Sequence, residues 1–214
     1  MATKAQVTTS RRIILSAADL FHGDSFGSVS VDAIARDAGI TKMTVYQHFR
    51  SKEEILFECL WLRLEQRESA LDAWFAGKPA DAAALLGLFD WMEGASKRGK
   101  FRGCAFLKAM NELSAALPEV RQVALDAKTL LRKRVVELAK AAGMPETGIL
   151  GAEIAILLEG AQALAAVEQG PGPIRAARRA AEKLIFAHEQ MEGAGPGGVE
   201  DVVATDRVSV RADA

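Results

Sequence analysis

Between Ile40 and Ile55 the chain reads ITKMTVYQHFRSKEEI, and its polar side chains are of the types that recognise a polyanion. Thr44 and Gln47 carry donors and acceptors suited to base edges, while Lys42, Tyr46 and Lys52 can reach phosphate oxygens, and His48 stands outward beside them. The apolar residues Ile40, Val45 and Phe49 recur among them at helical spacing. Such a pattern buries one stripe of a short helix and leaves the hydrogen-bonding groups outward. Lys52 adds a specific hint, because a cation at the start of the following helix opposes the macrodipole unless an anion lies nearby.

The residues just before this helix explain how it would be held. In AIARDAGITKMTV, Ala35 precedes Gly39 by four and Gly39 precedes Val45 by six. A small residue allows two helices to cross closely, and a glycine can take the positive φ of a tight turn. An apolar residue then plugs the second helix into the first, which is the arrangement of a helix-turn-helix. Ile34, Ile40 and Phe49 complete a small core with Phe21 and Ile14.

Charge supports a polyanion partner at one end only. The 214-residue chain has a formal net charge of −1. Residues 1–52 nonetheless hold seven Lys/Arg (Lys4, Arg11, Arg12, Arg36, Lys42, Arg50, Lys52) against four Asp (Asp19, Asp24, Asp32, Asp37). The basic first quarter therefore sits on an acidic remainder.

Outside this region the periodicity is helical almost throughout. Helices are expected at Arg11–His22, Val31–Ala38 with Ser30 as N-cap, and from Thr41 as N-cap to about Phe49. Ser51 caps a fourth that stops before the Gly-Lys-Pro at 77–79. Further helices fall at about 81–97, 104–116, 119–142, 147–169 and 173–191, each bounded by Gly or Pro. The Gly-rich segment after Glu192 reads as a tail. The fold class is all-α, about nine helices in all. A three-helix helix-turn-helix head spans 1–52, a helical body 53–191, and a tail with little structure 192–214.

SVDAIARDAGITKMTVYQHFRSKEEIL resembles the DNA-binding head of the TetR family of transcriptional regulators. Tyr46 three before Phe49, followed by Ser51-Lys52-Glu53-Glu54, is its most specific element. The resemblance is specific over residues 11–58, with a weaker echo in GCAFLKAMNEL from Gly103. It implies phosphate contacts from Tyr46, Lys52, Thr44, His48 and the helix start near Ser30. Base contacts are implied for Thr41, Lys42, Met43 and Gln47. Many relatives carry a smaller residue where Met43 stands, so Met43 could meet a thymine methyl. The family couples such a head to a ligand-sensing body and acts as a dimer.

A single short recognition helix reads few bases, so a dimer on a palindromic double-stranded operator is expected. Ile154, Leu157, Leu158, Ala161 and Leu164, with Ala177, Ala181, Leu184 and Ile185, are the candidate interface residues; an internal core is the alternative reading. The segment Ile149–Val167 is apolar enough to raise a membrane span, but Glu153 and Glu159 argue for a protein environment.

The aromatic and methionine residues of the middle region could fill a core or line an apolar pocket. Trp61, Phe89, Met92, Phe106 and Met110 are its candidate lining, with Asn111, Glu112 and Gln162 as polar fixers. The expected effector is a small apolar or amphipathic molecule of unspecified identity.

Met1–Ser10 is polar and lacks a secretory core, so a cytoplasmic protein is expected. No cofactor, metal or membrane partner is suggested, nor a phosphate-binding Gly-rich loop or a nucleophile elbow. The expectation is a ligand-responsive DNA-binding regulator, a repressor rather than an enzyme. Two alternatives remain: a helical protein-interaction module with a basic head, or a cofactor-free thiol enzyme using Cys104 with His188.

Overall fold

A computed structural model describes residues 8–97 and 101–191. Among the described residues it contains nine α-helices: α1 (Thr9–Gly23), α2 (Val31–Asp37), α3 (Lys42–His48), α4 (Lys52–Phe75), α5 (Ala82–Ser96), α6 (Ala105–Leu113), α7 (Glu119–Ala141), α8 (Thr147–Glu168) and α9 (Gly172–Met191). The all-α expectation holds, and the helix ends fall within a few residues of those expected. The expected tail, 192–214, lies outside the described residues.

The helix starts follow from side-chain capping. Thr8, Ser30, Thr41 and Asp81 each accept from the main-chain N–H three residues on, satisfying a donor that no helical carbonyl can reach. Asp32 adds negative charge to the first turn of α2, and Glu53 and Glu54 do so in α4.

Two compact units emerge from the packing. The first comprises the described residues up to Ala73 together with Cys104–Leu125; the second comprises Trp74–Gly103 and the described residues from Asp126. The expected division at residue 52 separates head from body along the chain, whereas the packing carries the first unit on through most of α4 and adds α6.

In the first unit, α1, α2 and α3 pack on one another. Their core is Ile13, Ile14, Ala17, Phe21, Ile34, Ala35, Val45 and Phe49, all buried. Leu56, Cys59 and Leu60 of α4 and Phe106 of α6 are also buried in this unit. The second unit is organised on α8, which packs mainly against α9, while α5 contacts both. Leu85, Leu88, Phe89, Leu150, Ile154, Leu158 and Ile174 form its core. α7 and α8 approach closely at Gly151, where a Cβ would stand 2.5 Å from Val136 Cγ2.

Candidate nucleic-acid interface

The turn between α2 and α3 is closed by local bonds. Gly39 has φ +65°, a conformation open to glycine at little cost, and the Ile40 N–H donates to Ala35 O at 2.9 Å. The three residues expected to build this turn do so: Ala35 and Val45 are buried and Gly39 supplies the bend. A further clamp was not legible. Arg12 of α1 donates to Ala38 O and reaches Gly39 O at 3.5 Å. A basic residue in the first helix of a basic head reads as surface charge, and nothing in its spacing points to a carbonyl 26 residues away.

With Val45 as its buried residue, α3 presents most of its other side chains. Thr41, Lys42, Met43, Tyr46, Gln47 and His48 are exposed, Met43 to 70% and Tyr46 to 48%; Thr44 is half-buried. Within this set the polar groups are not equally free. The Thr41 hydroxyl accepts from the Thr44 N–H at 3.1 Å and shares a 2.8 Å bond with the Thr44 hydroxyl. The Ser30 hydroxyl likewise caps α2, accepting from the Ala33 N–H at 3.1 Å. Lys42 donates to Asp32 Oδ2 at 2.8 Å.

Lys52 departs most from expectation. Its ammonium is turned inward, donating to Phe26 O at 2.8 Å and Val29 O at 3.0 Å and lying 4.2 Å from the Phe26 ring centroid. Two of its three N–H groups are thus directed at the loop before α2, leaving one for a phosphate. Its opposition to the helix macrodipole is answered by carbonyl oxygens of its own chain.

The same loop is held from α6. The Lys108 ammonium donates to Phe21 O, His22 O and Asp24 O at 3.1, 3.2 and 2.7 Å, meeting the carbonyl-rich end of α1. Glu112 accepts from the Phe26 N–H at 2.8 Å. Glu112, expected as a polar group in a ligand pocket, is therefore tied to the loop that leads into the helix-turn-helix. Arg63 of α4 donates to Ala18 O at 2.6 Å.

The candidate effector residues divide between the two units. Trp61, Phe106, Met110 and Asn111 belong to the first; Phe89, Met92 and Gln162 belong to the second. Asn111 and, to 37%, Trp61 face solvent, and Phe106 is buried under the Arg67 guanidinium. A cavity of about 20 Å³, room for roughly one water, lies among Phe21, Phe26, Cys59, Lys108 and Glu112; none of the first unit's four candidates lines it. In the second unit Phe89 and Met92 are core, Gln162 is half-buried, and the buried Trp74 Nε1 has no hydrogen-bond partner.

The candidate interface residues divide by burial. Ile154, Leu158, Ala161, Ala181 and Ile185 are buried within the single chain, and Leu157, Ala177 and Leu184 are half-buried. Among the nine, Leu164 stands out at 55% exposed. The face open to a partner is carried instead by Ile149, Ile156, Leu164 and Val167 of α8 and Phe186 of α9, all exposed. The amphipathic pattern was ambiguous because α8 is apolar around most of its circumference. By length and composition α8 could cross a membrane, and only 33% of its most apolar window is buried. Two of its carboxylates are nonetheless engaged, Glu153 with His188 Nε2 at 3.1 Å and Glu159 with Lys128 at 2.5 Å.

Neither cysteine is part of a disulfide. Cys59 is buried, its thiol donates to Ile14 O at 3.3 Å, and desolvation pushes its pKa up to about 12, so it is held as the unreactive thiol. Cys104 is half-buried at the N-cap of α6 and makes no capping bond through its side chain.

Residues 13–59, which contain the helix-turn-helix, match the family model of bacterial regulatory proteins, tetR family. The chain carries a TetR-family head. A curated relative, the HTH-type transcriptional regulator EthR of Mycolicibacterium smegmatis, is 33% identical over 69 residues, 32% of this chain and 32% of that protein. The chain thus aligns with about a third of that relative's length. Beyond the TetR-family head, the likeness is one of fold. A TetR-family regulator from Streptomyces coelicolor superposes with a TM-score of 0.77 at 22% identity, covering 84% of this chain and 96% of that one. A protein from Saccharomonospora viridis, described as a transcriptional regulator and solved with choline, gives 0.69 at 21% identity, covering 85% and 97%.

Proposed function

We propose that this chain is a cytoplasmic DNA-binding transcriptional regulator that binds an inverted-repeat operator as a homodimer. The observation that carries the reading is the outward polar face of α3, fixed on a closed turn inside the segment that matches the tetR family model. Thr41, Lys42, Met43, Tyr46, Gln47 and His48 are its exposed groups, with Thr44 half-buried beside them. Tyr46, His48, Thr44, Ser30 and the remaining N–H of Lys52 are assigned to phosphates, and Thr41, Lys42, Met43 and Gln47 to base edges. Two heads are needed because one seven-residue helix reads too short a sequence. The apolar residues Ile149, Ile156, Leu164, Val167 and Phe186 supply a face that water disfavours and a second copy would cover.

We assign repression released by a small apolar or amphipathic effector. A neighbour of the same fold is described in complex with choline, which supports a small-molecule site in a body of this kind. An effector acts by its differential affinity for two states, one of which spaces the heads for successive major grooves.

Selection of the full chain against a random duplex library tests the core of this reading. The expected result is an enriched inverted repeat with half-site centres separated by a whole number of helical turns. Enrichment of no palindrome would sink it.

A further inference from the structure

Lys42 and Asp32 face each other across the helix-turn-helix. Asp32 is the second residue of α2 and Lys42 the first of α3, and Nζ lies 2.8 Å from Oδ2. Both side chains are about half exposed, at 50% and 55%. An ion pair this exposed contributes little to folding. The fold does not depend on it either, because the turn is already closed by Gly39, the Ile40–Ala35 bond and the Arg12 clamp. Asp32 has a structural use at the start of α2, but that use does not require it to hold Lys42.

The pair lies beside the exposed start of the helix assigned to base reading, so the inference rests on the DNA-binding proposal above. A lone lysine there is a compact, mobile charge that any phosphate attracts, and such contacts make binding independent of sequence. Neutralised by a carboxylate, it has less to gain from the backbone. The ammonium keeps two further N–H donors and the carboxylate keeps free acceptor positions, so the pair offers donors next to an acceptor. In the major groove a G·C pair presents the complement: guanine O6 and N7 accept, and the cytosine amino group donates. The hydrogen bond to Asp32 and its charge raise the pKa of Lys42 above that of an ordinary lysine, in keeping with the pairing.

We propose that Asp32 is a specificity-determining residue: it withholds Lys42 from phosphates and forms with it a donor–acceptor pair that reads one G·C base pair in each half-site.

The test compares full-length wild type, Asp32→Asn and Lys42→Ala by duplex selection and by binding across a salt series. Wild type is expected to require G·C at one position of each half-site. Asp32→Asn is expected to keep the rest of the motif and lose on the order of tenfold preference at that position. Its dependence of log K on log salt should steepen by about one unit per head. Lys42→Ala should lose the same preference without the steepening. An unchanged motif and salt slope in Asp32→Asn overturns the proposal. So does a uniform gain in affinity with every position unchanged, which would mark a general charge effect. Loss of the whole motif would assign Asp32 to holding α2 and overturns it as well. In each of these cases the wild-type motif stands and the DNA-binding reading with it; a wild type that enriches nothing overturns both.

Discussion

The two units use their cations differently. In the first, Arg12, Lys52, Arg63 and Lys108 donate to main-chain carbonyls of α1, of the loop after it and of the turn after α2. In the second, Arg175 and Arg178 of α9 pair with Glu93 and Asp90 of α5, and Lys128 of α7 pairs with Glu159 of α8. A carbonyl acceptor does not titrate, and it belongs to the backbone itself. A lysine bonded to carbonyls therefore keeps its acceptors as the pH falls. A carboxylate acceptor sits on a side chain that titrates, and an exposed pair of this kind is screened by salt. The first unit holds carboxylate pairs too, Arg63 with Asp19 at 3.5 Å and Lys108 with Glu112 at 4.0 Å, but its loop is also tied by carbonyl acceptors, while α5 and α9 are joined by bonds that solution conditions can weaken.

The largest expected effect is at Lys108. Lys108→Ala leaves Phe21 O, His22 O and Asp24 O without their shared donor, and charged hydrogen bonds of this kind make the loss about 2 kcal/mol. Urea unfolding should show that loss undiminished at high salt. DNA binding should weaken for all duplexes alike, because Lys108 anchors the loop leading to α2 and is not assigned to any base. A change of sequence preference in Lys108→Ala would break the distinction between the residues that hold the head and those that read with it.

Next comes Gly151→Ala. An alanine in a helix interior ordinarily stabilises by about 1 kcal/mol relative to glycine. Here the added Cβ would meet Val136 Cγ2 at 2.5 Å, and a β-branched side chain has few rotamers into which to retreat. Overpacking of this kind costs roughly 1–3 kcal/mol, so the net effect is destabilising. Val136→Ala in the same chain should restore stability. A more stable Gly151→Ala chain would show that α7 and α8 have slack at this point.

How much of this was readable beforehand depends on the range of the physics. Helix ends were legible because caps and breakers act within a few residues: Ser30, Thr41, Gly39 and the Pro171-Gly172-Pro173 at the start of α9 announce themselves. The inward and outward faces of α3 were legible too, since Val45 must be buried if Gly39 makes the turn. What escaped were bonds between residues far apart in sequence. Lys108 and Glu112 lie more than 80 residues from the loop they hold, and Lys52 carried a phosphate signal that carbonyls also satisfy. On α8 the period was blurred by apolar residues on every side. Ile154 and Leu158 were therefore assigned outward when the chain's own core takes them.

Smaller again is Arg178→Ala. The pair with Asp90 is exposed at 34% and 45%, so its removal should cost under about 1 kcal/mol. That cost should vanish in about 1 M salt, where the screening length falls to roughly 3 Å. The Lys108→Ala loss should survive the same salt, and equal salt sensitivity of the two variants would erase the contrast between the units.

The finest test is a titration of Glu93. Arg175 donates to it through Nε and Nη2 at 3.1 and 2.8 Å, and Lys97 lies at 2.6 Å. These partners, Arg175 foremost, lower its pKa from 4.5 to about 2. A carboxylate that is more acidic in the folded than in the unfolded chain contributes stability above its unfolded value. That contribution is lost as the pH falls through the folded value, so the window runs from about pH 4.5 down to about pH 2. The stability gap between wild type and Glu93→Gln should therefore be steady near neutral pH and close within that window. The gap between wild type and Lys108→Ala should not close there through its acceptors, because carbonyls take up no proton in that range. A Glu93→Gln gap that stayed constant down to pH 2 would mean that Arg175 and Lys97 do not hold this carboxylate in solution, and the α5–α9 junction would then rest on apolar packing and the Arg178–Asp90 pair.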